Sequence, residues 1–217
     1  GSALYLAFDD ATTSTNLEVY KVATGKLASV TKVGTGYCFG ASDGFGIVLL
    51  DNSTGTTYNV TKVLDNTTAS VAGTISVSGT GTAACAIVEN SGTFYAAVEE
   101  DASADNVSVW SSTDLATWTQ KGTAYAVTAA LTDLSITVDT NGLPIVASRD
   151  GTAGVNIEIR RYEDTNGDGT STWTSLVSTA NGASGSGKIV IAAGDSGKFV
   201  YAADNSTGSS VQSYFPE

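Results

Sequence analysis

Residues 83–100 read AACAIVENSGTFYAAVEE. An apolar run (Ala83–Val88) meets a glycine turn (Asn90-Ser91-Gly92), then a second apolar run closes on Glu99-Glu100. Glycine takes the positive φ that a tight reversal demands, so the stretch predicts a β-hairpin. Neither run alternates cleanly between polar and apolar residues, which predicts strands covered on both faces.

The same pattern recurs along the chain. Leu4–Asp9, Gly46–Asp51, Phe94–Glu99, Pro144–Asp150 and Phe199–Asp204 are short apolar runs ending in an acid. From Asp9 to Asp51, Glu99, Asp150 and Asp204 the steps are 42, 48, 51 and 54 residues. Four of the runs follow a glycine turn and a further apolar run. Each acid is followed by a small-polar loop and a third strand, and most units add a fourth. A drifting period of this size predicts an all-β chain, a β-propeller of about five four-stranded blades. The approximate units are 1-33, 34-79, 80-129, 130-183 and 184-217 of a single domain, 1-217. The chain opens on a second-position strand and stops on a third-position one, so the first and last blades are expected to be partial. Completion by another copy, or by the rest of a longer chain, would cover their bare edges.

Composition narrows the function classes. In 217 residues, 10 basic side chains face 22 acidic ones, a net charge of −12. That sign repels phosphate backbones and argues against nucleic acid as a partner. With no histidine in the chain, the Ser–His–Asp triad and the usual zinc ligand are absent. No run approaches the ~20 apolar residues of a membrane span, so no membrane insertion is expected. The Gly1-Ser2 start and the lack of Met are expected of a tag remnant ahead of an excised, exported domain. Cys38 and Cys85 fall on the first strands of neighbouring units. Two buried free thiols are the expectation, with a disulfide as the alternative.

Between the third and fourth strands of unit 80-129 the chain reads Ser112-Thr113-Asp114-Leu115-Ala116-Thr117-Trp118. This resembles the Asp-box, Ser-x-Asp-x-Gly-x-Thr-Trp, of sialidase-like propellers. Ser112, Asp114, Thr117 and Trp118 match, although the spacing is one residue short and the glycine is missing. Trp173 stands in the same slot of the next unit. The resemblance implies a folding motif, in which Ser and Asp bond turn amides while Trp packs against the blade, and it implies no activity. Catalytic members of that family converge three arginines on the substrate. Here the arginines are Arg149, Arg160 and Arg161, and two are consecutive on a strand, so they point to opposite faces.

Two constellations remain. Asp164, Asn166 and Asp168 open like a calcium loop, with oxygens at alternate positions, but Ser175 stands where an EF-hand closes. No cofactor is required by the sequence, and Ca2+ at these residues competes with a solvated turn. Asp9, Asp10, Asp51, Glu99, Glu100, Asp150 and Asp204 end the second strands and share one face. They are candidate ligand-binding residues for a cation, sugar hydroxyls or a basic partner, or they serve only to keep exposed loops soluble. Tyr37, Tyr58, Tyr95, Tyr125 and Tyr201 are candidate stacking platforms.

The sequence therefore predicts an extracellular, non-catalytic recognition module, secreted or displayed on a cell or virion surface. Its expected partner is a glycan or a surface protein. The alternatives are a carbohydrate-active hydrolase using paired carboxylates, and an assembly domain of an adhesin, filament or viral tail fibre.

Overall fold

The computed structural model of the chain describes residues 5–9, 16–22, 24–31, 37–42, 46–52, 55–63, 69–79, 84–101, 105–127, 131–150, 156–163, 172–180, 188–194, 198–203 and 212–214. These residues form antiparallel strands in five sheets, with no helix among them. Sheet I comprises β1 (Tyr5–Asp9), β2 (Asn16–Lys21) and β3 (Gly25–Thr31). Sheet II follows with β4 (Tyr37–Ser42), β5 (Gly46–Asn52), β6 (Thr57–Val63) and β7 (Ser70–Ser76). Sheet III holds β8 (Cys85–Asn90), β9 (Thr93–Asp101), β10 (Asn106–Ser112), β11 (Thr119–Gln120) and β12 (Tyr125–Ala126). Sheet IV is β13 (Leu131–Val138), β14 (Pro144–Asp150), β15 (Asn156–Glu163) and β16 (Thr172–Ala180). Sheet V ends the series with β17 (Ile189–Ala193), β18 (Phe199–Ala203) and β19 (Gln212–Tyr214). In each sheet the strands pair in chain order, except that β12 of sheet III pairs with β10.

Side-chain alternation explains why the second strands are apolar throughout. On β5, Ile47 and Leu49 pack against sheet I, while Val48 and Leu50 join the cluster shared with sheet III. On β9, Ala96 and Val98 face sheet II and Ala97 faces sheet IV. Val146 of β14 faces sheet III, whereas Ile145 and Ala147 face sheet V. A strand between two neighbours needs an apolar residue at every position. Each fully buried aliphatic side chain contributes roughly 1.5–3 kcal/mol.

A shared irregularity marks the outer strands. Pairing passes from Val19↔Ala28 to Tyr20↔Lys26, from Val60↔Gly73 to Thr61↔Val71, and from Ile159↔Val177 to Arg160↔Ser175. Leu27, Ala72 and Leu176 are the extra residues of these bulges. Each packs against the cluster toward the following sheet. A bulge bends its strand and increases the local twist.

The first strands lie side by side: β4 by β8, β8 by β13, and β13 by β17. Between β13 and β17 the contact is a polar ladder. Asp133 Oδ2, Ser135 Oγ and Thr137 Oγ1 accept from the amides of Ile189, Ile191 and Ala193 at 2.8, 3.1 and 3.1 Å. Side chains at alternate positions thus satisfy an edge that would otherwise present unpaired amides.

Two expectations are corrected here. Cys38 and Cys85 are joined as a disulfide, with no free thiol in the pair. Because β4 and β8 are adjacent, their Cα atoms stand 5.7 Å apart, within bridging range. The single fourth strand expected in unit 80-129 is instead two short strands, β11 and β12, both paired with β10. Leu115 (φ 66°) and Gly122 (φ 65°) take left-handed backbone on either side of β11, and the chain leaves the β10 ladder between Lys121 and Tyr125.

Candidate functional site

The described acids occupy equivalent register positions. Asp51 lies opposite Tyr37 at the start of β4, and Asp150 lies opposite Leu131 at the start of β13. The Glu99 amide donates to the Ala84 carbonyl just before β8. Asp9 likewise ends its strand, β1, opposite Leu17 of β2, with its backbone alone described. Asp10 and Asp204 lie outside the described residues.

For the four acids whose side chains are described, the reading as exposed, solubilising loop residues does not hold. Asp51, Glu99, Glu100 and Asp150 are all buried, Glu99 with 0 % exposure. They end strands whose two faces are covered, so neighbouring sheets enclose them. Arg149, 1 % exposed, joins them at the end of β14. Charges are costly to hold away from water, and such a group persists where its members satisfy one another or a ligand. Sequence reasoning weighed Arg149 only as one of three arginines and did not group it with these acids. Its signal was an arginine inside an apolar strand, immediately before the acid.

Bulges occur at this end as well. In β9 the pairing passes from Glu99↔Val107 to Asp101↔Asn106, leaving Glu100 as the extra residue. In β13 it passes from Asp133↔Arg149 to Leu131↔Asp150, and the extra Thr132 donates its hydroxyl to the Arg149 carbonyl at 3.3 Å. Bulges of this kind re-aim side chains at strand ends.

The tyrosines take other roles. Tyr58, Tyr125 and Tyr201 lie in the clusters between sheets, which removes them as stacking platforms. Burial raises the Tyr125 hydroxyl far above its ordinary value, and the Arg160 guanidinium sits 4.6 Å from its ring centroid. Tyr95, half-buried with its hydroxyl also raised by burial, donates to the Gly142 carbonyl at 3.2 Å. The Tyr37 side chain is outside the described set.

At the opposite end of sheet III, Ser112 and Asp114 organise the turn after β10. Asp114 Oδ1 accepts from the amides of Thr117 (2.8 Å) and Ala116 (2.9 Å) and from Ser112 Oγ (3.0 Å). Ser112 Oγ in turn accepts from the Leu115 amide at 2.9 Å. Trp118 donates its indole N–H to the Leu115 carbonyl at 3.0 Å and packs toward sheet II. Trp173 packs on sheet III, its ring 5.3 Å from Tyr125, with its N–H on the Lys121 carbonyl at 3.3 Å. Beside the Asp114 turn is an open hollow of about 220 Å³ lined by Thr93, Ser111, Thr113, Thr117 and Thr119. It lies at the far ends of the strands from the acids.

Asp164, Asn166 and Asp168 fall outside the described residues. Among the described residues no three His, Cys, Asp or Glu side chains are grouped to hold a metal.

No protein-family model matches the chain, and no curated protein matches it. Solved structures do. A fucose-specific lectin from Aleuria aurantia superposes with a TM-score of 0.58 at 10 % identity, over 98 % of this chain and 73 % of the lectin. An α-L-arabinanase from Penicillium chrysogenum, complexed with arabinobiose, gives 0.56 at 13 % identity, over 96 % and 76 %. The α-L-arabinofuranosidase Arb93A from Fusarium graminearum gives 0.53 at 13 % identity, over 97 % and 77 %. These neighbours are propellers. The chain has a propeller-like fold. At such identities the likeness speaks to architecture alone.

Proposed function

We propose that this chain is an extracellular carbohydrate-recognition module that binds glycans at the end of the sheets where the second strands stop. The observation that carries this reading is the buried set Asp51, Glu99, Glu100, Arg149 and Asp150 at equivalent strand ends. Carboxylates accept and a guanidinium donates, so together they match the mixed donors and acceptors of a sugar. The likeness to a fucose lectin and to arabinan-degrading enzymes supports the same class of ligand. A disulfide between β4 and β8 supports an oxidising, extracellular setting. Calcium at Asp164, Asn166 and Asp168 is a separate proposal, read by calcium titration of the intact chain.

Glycoside hydrolysis is the second reading, because several carboxylates end neighbouring second strands and paired carboxylates are the working parts of most glycosidases. One experiment separates the two. The labelled chain is applied to a glycan array, and each bound glycan is then incubated with the chain and assayed for new reducing ends. Binding without cleavage supports recognition. Cleavage that Glu99→Gln or Asp150→Asn abolishes supports hydrolysis, and an array without any bound glycan contradicts both.

A further inference from the structure

We infer that the principal subsite of this face lies where sheets II and III meet, with the Glu100 carboxylate accepting hydrogen bonds from hydroxyls of a neutral sugar. This rests on the carbohydrate-recognition reading and commits it to one residue and one ligand charge.

Glu100 is the extra residue of the β9 bulge, so its side chain is released from strict strand alternation. Its surroundings are fixed from both sides. The Gly79 amide, in the segment leaving sheet II, donates to the Glu100 carbonyl at 3.2 Å, and the Tyr58 hydroxyl of β6 donates to the Glu99 carbonyl at 2.9 Å. A bulge braced by two bonds from the neighbouring sheet is a pre-organised mount rather than a frayed strand end.

The carboxylate on that mount is short of partners. Glu100 is 9 % exposed, and its Oε2 is shut from water with no hydrogen-bond partner among the described residues. Buried polar atoms are nearly always satisfied, and an exception asks for a reason. A ligand donor is that reason here, because a charge-assisted hydrogen bond to a desolvated carboxylate is among the stronger neutral-ligand contacts. The ligand's charge follows from the chain. Its net charge of −12 repels an acidic sugar, and the hydroxyl of a neutral polyol is a donor that a carboxylate oxygen pairs with directly.

The test is titration calorimetry of the intact chain with a panel of neutral mono- and disaccharides that includes methyl α-L-fucoside and arabinobiose. Galacturonic acid and calcium chloride are run alongside. The parent should bind at least one neutral sugar, Glu100→Gln should weaken it tenfold or more, and Thr113→Ala at the opposite end should leave it unchanged. Glu100→Asp keeps the charge at shorter reach and should fall between, which covers the case where the Gln substitution unfolds the chain. Equal sugar binding by the parent and Glu100→Gln overturns the inference and leaves the recognition reading standing. Calcium binding lost in Glu100→Gln, with sugar binding unchanged, overturns it in favour of a cation site. A parent that binds no sugar in the panel overturns both.

Discussion

Tyr58 and Glu99 are joined across two sheets: the buried Tyr58 hydroxyl of β6 donates to the Glu99 carbonyl of β9 at 2.9 Å. The bond ties the packing of sheet II to the strand end that carries two of the buried acids. Structure and candidate site are therefore coupled through this hydroxyl.

Replacing Tyr58 by Phe keeps the ring in the cluster and removes only that donor. The buried Glu99 carbonyl loses a partner, which costs about 1–3 kcal/mol. Denaturant unfolding should show that loss, and glycan affinity should fall further than in a variant of equal stability altered at the opposite end.

Gly73 of β7 lies directly under the Asp114 turn. A Cβ there would run into the Leu115 carbonyl oxygen and come within 2.8 Å of the Ala116 Cα and carbonyl oxygen, all of them backbone atoms. Backbone yields less readily than a flexible side chain, so Gly73→Ala should destabilise by about 1–3 kcal/mol through overpacking. Thermal unfolding checks this. A melting temperature equal to the parent's would mean that the turn does not seat on β7.

Asp114 predicts a pH signature. The Thr117 amide, the Ser112 hydroxyl and the Ala116 amide hold its carboxyl below the usual carboxylate range. A group depressed on folding stabilises fully above its unfolded value, and that contribution is lost as pH falls through the folded value. Melting temperature should therefore drop on acidification below the usual carboxylate range, with a component missing in Asp114→Asn. At neutral pH the variant should melt lower than the parent, and the two should converge in acid.

The disulfide gives the largest expected stability effect. Cys38 and Cys85 are 47 residues apart in sequence, and closing a loop of that length restricts the unfolded chain by roughly 4 kcal/mol in the entropy model. Melting with and without reductant should differ accordingly. Alkylation of the denatured, unreduced chain should label no cysteine, and labelling of both would contradict the bridge.

Much of the fold was legible because one physical rule wrote it repeatedly. A second strand covered on both faces must be apolar at every position, as in Gly46–Leu50 and Phe94–Val98, and a glycine must turn the chain before it. What could not be read was lateral. Pairing of Cys38 with Cys85 depends on the spacing of β4 and β8, which no local pattern encodes. The bulge at Glu100 is a matter of register, visible only once β10 lies beside β9. An acid just past an apolar run looks the same whether it points to solvent or is enclosed, so the burial of Asp51 and Asp150 was hidden. Arg149 was weighed only as a member of an arginine triad, because no local pattern shows that its strand end is buried.

The most direct test asks where a ligand settles. Amide chemical shifts of the isotope-labelled chain would be followed while a glycan from the array is titrated in. The largest changes should cluster at Asp51, Glu99, Glu100, Arg149 and Asp150, the end where the second strands stop. Changes confined to Ser111–Thr119, around the Asp114 turn, would contradict the account and move recognition to the opposite end of the sheets.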